Sequence, residues 1–498
     1  MNYLVPAWHD LQIDWSYSTP HLRFDDAASH VRTLQDGGEK TGVLITDYQP
    51  QITTKLSQMS LMPDDYFAVF DYLQGIEGLD GQVVDYMDFP WPEDAYFDFT
   101  NFRIFVIVDD KPYAQVTFDV QGKMLSINYL AGPDQNTQLL FDSRGFISRQ
   151  ESPDEMTYFS SAGVWRFKVS KQDGRVTINA AVNDFCQHNQ YANLQSLIDE
   201  VINQHFLTTL HQDDRLIVTL DDEAKYSLTD FTDQEPIYSA SNWHPYINAI
   251  QQVRTGIILT DTKRTAQTVQ QQVPDDCRIQ VLPLFQSQFK LGHSQRVSEQ
   301  RVAIFAEHME RADLRQTMEL IYPRLLDHPT DEGMYIFTYS PDKAGMVNEV
   351  FQQFRKDHDG EFILSPNEID PGENKIDEAD IPPLLTIKQT RLVSNMQVLT
   401  FLDKIRLLIM WGQPDPFTTI AAVSVGIPIL QNFTSEEVQD HQNGIICQNF
   451  DELRDGIAYY LDTLKHWNES LVYNVQVLNQ YSEDNIREQW ERILTNEV

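Results

Sequence analysis

The chain predicts an α/β protein built from two parallel-sheet units, with an antiparallel sheet inserted into the first. Three observations carry this. At 498 residues it exceeds the roughly 250–300 residues that a single hydrophobic core supports. Strand and helix patterns alternate in both halves, the signature of a parallel sheet. Near residue 97 the rhythm switches to short alternating runs separated by compact turns, and it switches back after about residue 190.

Tyr3 to Pro6 is a short apolar run, and Phe24, Ala27, Ala28, Val31 and Leu34 recur at helical spacing before Gly37-Gly38 offers a stop. Val43 to Thr46 reads as the next buried strand, so the chain opens β-α-β. Phe102 to Val108 and Tyr113 to Asp119 then flank a turn at 109–112, and Met124 to Leu130 follows Gln121-Gly122. Val164 to Ser170 and Arg175 to Ala180 flank Lys171-Gln172-Asp173-Gly174, where Asp-Gly between alternating apolar runs signals a hairpin. The α/β alternation resumes with a helix through Leu194, Leu197, Ile198, Val201 and Ile202 and strands at Arg215 to Leu220, Gly256 to Thr260 and Arg278 to Leu282.

Gln286 to Gln300 is polar and reads as a linker. Strands of the second unit are expected at Arg301 to Phe305, Met334 to Tyr339, Glu361 to Leu364 and Leu407 to Trp411, with a surface loop at Asp370 to Pro383. Ser482-Glu483-Asp484 precedes an apolar stripe of Ile486, Trp490 and Ile493, a helix start. The expected domains are thus 1–96 with 183–290, an inserted β-meander at 97–182, a second α/β domain at 296–480 and a C-terminal helix at 481–498. Two such units place a cleft between the carboxyl ends of their sheets, where open α/β folds bind ligands.

Charge narrows the partners. With 74 acidic against 37 basic side chains the formal net charge is -37, which repels polyanions over a Debye length of about 8 Å. Nucleic acid is therefore a poor partner, and none is expected. Cys186, Cys277 and Cys447 are few, odd in number and far apart, as in a reducing compartment. The opening MNYLVPAWHD has no basic n-region and no long apolar core, and no apolar run approaches the roughly 20 residues that span a bilayer. A cytoplasmic location is expected.

Cofactor and metal motifs are missing. There is no G-x-G-x-x-G or P-loop, and the first strand leads into Pro6-Ala7-Trp8-His9 without a glycine, so no phosphate cradle forms there. Glu307-His308 follows the first strand of the second unit, where a diphosphate-binding enzyme would hold an Arg and a Lys; Arg311 and Arg315 further along read as surface helix charges. Asp357-His358-Asp359 matches D-x-D, a match that chance readily supplies in so acidic a chain. Cys186-Gln187-His188 is too isolated for zinc, which takes about four ligands. No metal site and no cofactor is expected. His9 and His441 have the chemistry of general bases, although lone histidines beside apolar strands are more often structural.

Aromatics at strand ends point instead to carbohydrate, because a sugar ring presents a C–H face that stacks on indole while its hydroxyls need polar neighbours. Trp8 and His9 follow the first strand of the first unit, and Trp411 with Asp415 ends a strand of the second. These four are the candidate carbohydrate-binding residues.

The stretch from Pro414 to Pro428, PDPFTTIAAVSVGIP, resembles the sugar-nucleotide signature of a GT-B glycosyltransferase. In that class an E-P-F-G-like turn is followed eight positions later by a second Glu, and the segment closes with G-x-P. Anchored on Pro416-Phe417, the two acids fall on Asp415 and Val423; anchored on Gly426 and Pro428, they fall on Gln413 and Ala421. Neither alignment supplies both carboxylates.

Together with NYLVPAW at the start, the meander, DPFTTIAAVSVGIPIL, the run His441 to Ile446 and a helix from Leu453 to Leu464, the whole chain is similar to one family. It resembles the glycosyltransferase-like first member of the accessory Sec system protein complex, found in Gram-positive bacteria that export serine-rich-repeat adhesins. The resemblance implies two Rossmann-like domains in a GT-B-type arrangement with the inserted antiparallel β-sheet domain, and no transferase activity. It also implies two other accessory Sec proteins, an accessory SecA-type motor and the glycosylated serine-rich-repeat adhesin as partners, with peripheral phospholipid contact at the inner face of the membrane. Two alternatives stand beside it: an active GT-B glycosyltransferase in which Asp415 or another acid replaces the missing Glu, and a non-catalytic subunit that supports such an enzyme through the inserted sheet.

Overall fold

The computed structural model describes residues 1–9, 25–76, 78, 81–100, 103–119, 121–284, 293–368 and 382–495. They divide into two compact units, one running to Leu284 and the other from His293 to Thr495.

The first unit opens with β1 (Asn2–Val5), α1 (Asp26–Asp36), β2 (Thr41–Ile45), α2 (Ile52–Gln58), β3 (Asp65–Ala68) and α3 (Val69–Gln74). Asp25 caps α1 by accepting from the Ala28 N–H, which satisfies one of the orphan donors at a helix start. β1 and β2 pair in parallel with Leu4 opposite Val43, as the β-α-β reading requires. Phe24, placed in that reading's helical stripe, lies outside the described residues.

A meander follows: β4 (Tyr96–Phe99), β5 (Arg103–Val108), β6 (Lys111–Phe118), β7 (Met124–Tyr129), β8 (Gln138–Asp142), β9 (Phe146–Glu151), β10 (Glu155–Phe159), β11 (Trp165–Ser170), β12 (Val176–Ile178) and β13 (Gln190–Tyr191). These strands form one ten-stranded sheet in strict neighbour order. The turn expected over four residues between β5 and β6 is tighter. Asp109 and Asp110 alone make it, both at positive φ (50° and 58°), the geometry of a two-residue hairpin whose twist matches its strands.

After α4 (Leu194–Val201), the chain returns to the first sheet with β14 (Arg215–Thr219), β15 (Ile237–Ala240), β16 (Gly256–Thr260), α5 (Lys263–Gln270) and β17 (Cys277–Val281). The order is β17-β16-β15-β14-β1-β2-β3. β1 therefore sits mid-sheet, with Leu4 opposite Ile217 on one side.

The second unit contains β18 (Gln300–Phe305), α6 (Arg311–Asp327), β19 (Glu332–Thr338), α7 (Pro341–Asp357), β20 (Thr386–Arg391), α8 (Asn395–Leu402), β21 (Leu407–Met410), α9 (Pro416–Val425), β22 (Ile429–Gln431), β23 (Gly444–Ile446), α10 (Phe450–Leu461), α11 (Leu464–Leu478) and α12 (Glu483–Leu494). Its sheet is parallel throughout, ordered β20-β19-β18-β21-β22-β23. Ser482 caps α12 as its sequence suggests. Glu361 to Leu364 is not a strand: only Ile363 bridges, to Leu384, and the edge position falls to β20 instead. The polar stretch from Gln286 is undescribed up to residue 292, and Gln300 already belongs to β18; of the acidic loop, residues 370–381 lie outside the described set. No described helix is long and apolar enough to cross a membrane.

Candidate functional site

Polar side chains gather where the parallel strands of the first unit end. The Pro6-Ala7-Trp8-His9 segment leaves β1, Asp47 follows β2, Asp221 follows β14, and Ser239 closes β15 with His244 in the loop beyond. His9 Nδ1 lies 3.2 Å from Asp47 Oδ2, and its Nε2 lies 3.4 Å from Asp221 Oδ2. That same Asp221 oxygen is 3.0 Å from His244 Nδ1, while His244 Nε2 is 3.3 Å from Asp26 Oδ1. Lys225 Nζ reaches the other oxygen of Asp47 at 2.9 Å. The result is a relay of alternating charge, Lys225–Asp47–His9–Asp221–His244–Asp26.

This alternation sets the protonation states. Hydrogen bonding to Asp221 and then to Asp47 pushes His9 up to about 9, against its desolvation. Burial works to lower His244, but hydrogen bonds to Asp221 and Asp26 and the charges of Asp26 and Asp25 lift it to about 10. Burial would raise Asp221, and its two histidine partners hold it below the ordinary range. Asp26 is likewise lowered against burial by His244, whereas its neighbour Asp25 is raised by burial and by the Asp26 charge. His30, fully buried against Ser239, is driven down to about 4 and stays neutral.

A histidine whose folded pKa exceeds its unfolded value of about 6.5 contributes its full stability below that value and loses it as pH rises through the folded one. The wild type is therefore expected to lose on the order of 5 kcal/mol between about pH 7 and about pH 10 through His9 and His244, which share Asp221. His9→Gln should flatten part of that slope in thermal melts across the same range. A wild-type profile that stays level to pH 10 would rule the relay out.

Asp25, Asp26 and His244 are also close enough together to hold a metal ion, the one such group among the described residues. Their lone pairs are already engaged. Asp26 accepts from Ala27 N–H, Thr219 and Ser239, Asp25 from Ala28 N–H and Trp8 Nε1, and the His244 imidazolium holds the position a cation would take.

In the second unit, β18 leads into Glu307-His308, β19 into Tyr339-Ser340 and β21 into Trp411-Gly412. Glu307 Oε2 accepts from the backbone N–H of Tyr339 at 2.8 Å and of Ser340 at 3.1 Å. Ser340 itself caps α7. Asp415 caps α9 by accepting from Thr418 N–H at 2.8 Å, with Pro416 at the first helical position. Its second oxygen lies 3.7 Å from His308 Nε2. Gly412, at φ 102°, lets the backbone carbonyl of His308 approach: a Cβ there would sit 2.3 Å from that oxygen. Gly426 of the G-x-P close is the left-handed cap of α9 at φ 79°. The signature thus survives as helix punctuation, with its opening acid serving as the cap.

The four predicted carbohydrate residues fare differently. Trp8 is 3% exposed; its indole N–H donates to Asp25 at 2.7 Å and Lys55 Nζ lies 5.0 Å over its ring. Trp411 is 6% exposed and stacks on Phe450 with ring centroids 4.6 Å apart. Neither indole is an open platform: both fill packed positions, because apolar strand ends bury the large ring that follows them. Asp415 is buried as a cap. His9, with its side chain 20% exposed, is the member of the four that solvent reaches. His441 is an exposed residue at positive φ (57°), outside both groups. Arg311 pairs with Glu349, and Arg315 with Glu319 and Asp357, as surface helix charges do. His358 of the D-x-D match is held between Glu319 and Glu361.

Asp26, Asp47, Asp221, Lys225 and His244 escaped the sequence reading because none belongs to a local motif. The signal available was positional: polar residues just beyond the carboxyl ends of parallel strands, where α/β folds build sites.

Known proteins share this fold. The accessory Sec system protein of Streptococcus gordonii is 25% identical, aligned over all of this chain and 99% of that one. The crystal structure of accessory secretory proteins 1, 2 and 3 from Streptococcus pneumoniae superposes with a TM-score of 0.77 at 21% identity, covering 100% of both chains. The pneumococcal O-GlcNAc transferase GtfA, solved with UDP and GlcNAc, gives a TM-score of 0.69 at 11% identity over 100% of this chain and 99% of its own. The fold is accordingly that of GT-B glycosyltransferases. The family described as the first of the numbered accessory Sec system proteins matches residues 4–497, and the chain belongs to that family.

Proposed function

We propose that the protein is a non-catalytic member of the accessory Sec system that binds glycosylated serine-rich-repeat adhesin and helps deliver it to the accessory SecA-type motor at the membrane. The observation that carries the loss of catalysis is Glu307, an acid placed after β18 where a diphosphate-binding enzyme would hold basic groups, whose carboxylate occupies the N–H groups at the start of α7. A helix N-terminus attracts phosphate through its free N–H groups and positive dipole end. Glu307 takes the Tyr339 and Ser340 N–H groups before α7, and Asp415 takes a first-turn N–H of α9. A nucleotide diphosphate would meet the Glu307 carboxylate at α7, where it needs donors. Kinship with GT-B enzymes supplies a fold and not a chemistry.

Assembly with two further accessory Sec proteins is supported by the pneumococcal relative, which was solved together with accessory secretory proteins 2 and 3. His9 is the solvent-reached member of the four candidates, its charged imidazolium held edge-on by Asp47 and Asp221, and we assign glycan contact in the first unit to its exposed ring.

Two measurements test this reading. Calorimetry with UDP-GlcNAc should show no binding tighter than about 1 mM, and no sugar transfer should be detected. Deletion of the gene should leave glycosylated adhesin inside the cell. Donor turnover abolished by Asp415→Asn would restore the enzyme reading, and retained adhesin lacking sugar would establish a subunit that supports the glycosyltransferase.

A further inference from the structure

A groove on the second unit runs along α8, from Leu392 just after β20 to Arg301 on β18 and Ile405 just before β21. Its volume is about 390 Å³, and it is lined by residues of β18, β19, α8 and the turn after α8, among them Arg301, Tyr335, Met396, Phe401 and Lys404. That volume falls in the range of about 300–1,000 Å³ typical of ligand pockets. Met396 is 70% exposed, and an unbranched thioether side chain reshapes readily around an incoming apolar group. Phe401 packs on Phe337 at 4.9 Å between centroids, giving the groove a firm floor.

Basic groups flank this groove. The Arg301 guanidinium lies 5.2 Å from the Tyr335 ring centroid and the Lys388 ammonium 5.6 Å from it. Glu299 neutralises Arg301 at 2.8 Å and also accepts from the Tyr335 hydroxyl. Lys388 and Lys404 are both exposed, and neither has an ion pair among the described residues. In a chain carrying 74 acidic against 37 basic side chains, two uncompensated ammonium groups beside an apolar groove select for a partner of the opposite sign. The net charge of -37 works against non-specific binding of acidic ligands.

We propose that this groove docks a segment of a partner protein that presents one or two large apolar side chains between aspartates or glutamates. The apolar side chains fill the space between Met396, Tyr335 and Phe401, and the flanking carboxylates pair with Lys388 and Lys404.

The test is fluorescence anisotropy of the full chain with fluorescein-labelled EELLEEFLEE and, as its charge-reversed counterpart, KKLLKKFLKK. Non-specific attraction to so acidic a protein favours the basic peptide, so the sign of the preference is decisive. The acidic peptide should bind with Kd on the order of 10–100 µM at low salt, roughly tenfold tighter than the basic one, and weaken as salt screens the pairs. Lys388→Glu with Lys404→Glu, and separately Met396→Glu, should each reduce binding about tenfold or more. Melting curves should be unchanged, since all three side chains are exposed. A preference for the basic peptide, or acidic-peptide binding indifferent to both sets of substitutions, overturns the proposal. So does the finding that the double substitution abolishes binding to phosphatidylglycerol vesicles while leaving peptide binding intact, for the groove would then be a lipid contact.

Discussion

Replacing Arg144 with Met is expected to lower the unfolding free energy by about 3–5 kcal/mol, the usual cost of removing one partner from a buried ionic group. Arg144 sits in the turn between β8 and β9, and its guanidinium forks in two directions. It donates to both oxygens of Asp71 on α3 at 2.7 and 2.8 Å, and to both oxygens of Asp142 at 2.7 and 2.8 Å, with the Ile76 carbonyl accepting a further bond at 3.2 Å. All three side chains are buried. Burial already raises the Asp71 pKa in spite of the guanidinium. Without the cation, two carboxylates face one another in a dry pocket. Arg144→Lys keeps the charge but cannot fork to both acids, so it should recover only part of the loss. Urea unfolding at pH 7 checks the ordering, and the deficit should shrink in acid as the stranded carboxyls protonate. A loss under about 1 kcal/mol for Arg144→Met would mean that the inserted sheet is held to α3 by something else.

Trp411→Ala should cost a similar amount, about 3–5 kcal/mol, because it empties a packed aromatic site. The indole belongs to the core of the second unit and stacks on Phe450 at an interplanar angle of 24°, a pairing worth about 0.5–1.5 kcal/mol beyond buried area. The competing role, a sugar platform, predicts the reverse pattern. Thermal melting and glycopeptide binding measured on the same sample separate them: lost stability with intact affinity in the folded fraction supports the packing role. Unchanged melting with weakened binding would return Trp411 to the ligand.

The alternation of apolar runs was enough to read the parallel sheets and the meander, since pleat and helix periods are local properties of the chain. β16 falls where Gly256 to Thr260 was expected, and the Ser482 cap begins α12 as read. The short strands β15, β22 and β23 carry three or four residues each, too few for any period to declare itself. Glu361 to Leu364 misled because a brief apolar run looks alike in a strand and in a packed loop. At the sites, Trp8 and Trp411 were visible by type, but their burial depends on Asp25 and on Phe450, partners that sequence distance conceals. The His9–Asp221–His244 relay was concealed for the same reason, its members being brought together by β1, β14 and β15 as neighbours in the sheet.

β1 and β14 hydrogen-bond side by side although residues 6–214 separate them in the chain. During synthesis at roughly 5–20 residues per second, the ribosome takes on the order of ten to forty seconds to deliver the second strand after the first. Until then one edge of β1, whose residues are all buried in the finished sheet, stays unpaired and open to wrong partners. The meander hairpins close over short separations and can form in that interval, leaving a finished antiparallel sheet tethered to an unfinished parallel one. The nascent chain is therefore most exposed to aggregation and to chaperone capture before Arg215–Thr219 emerges.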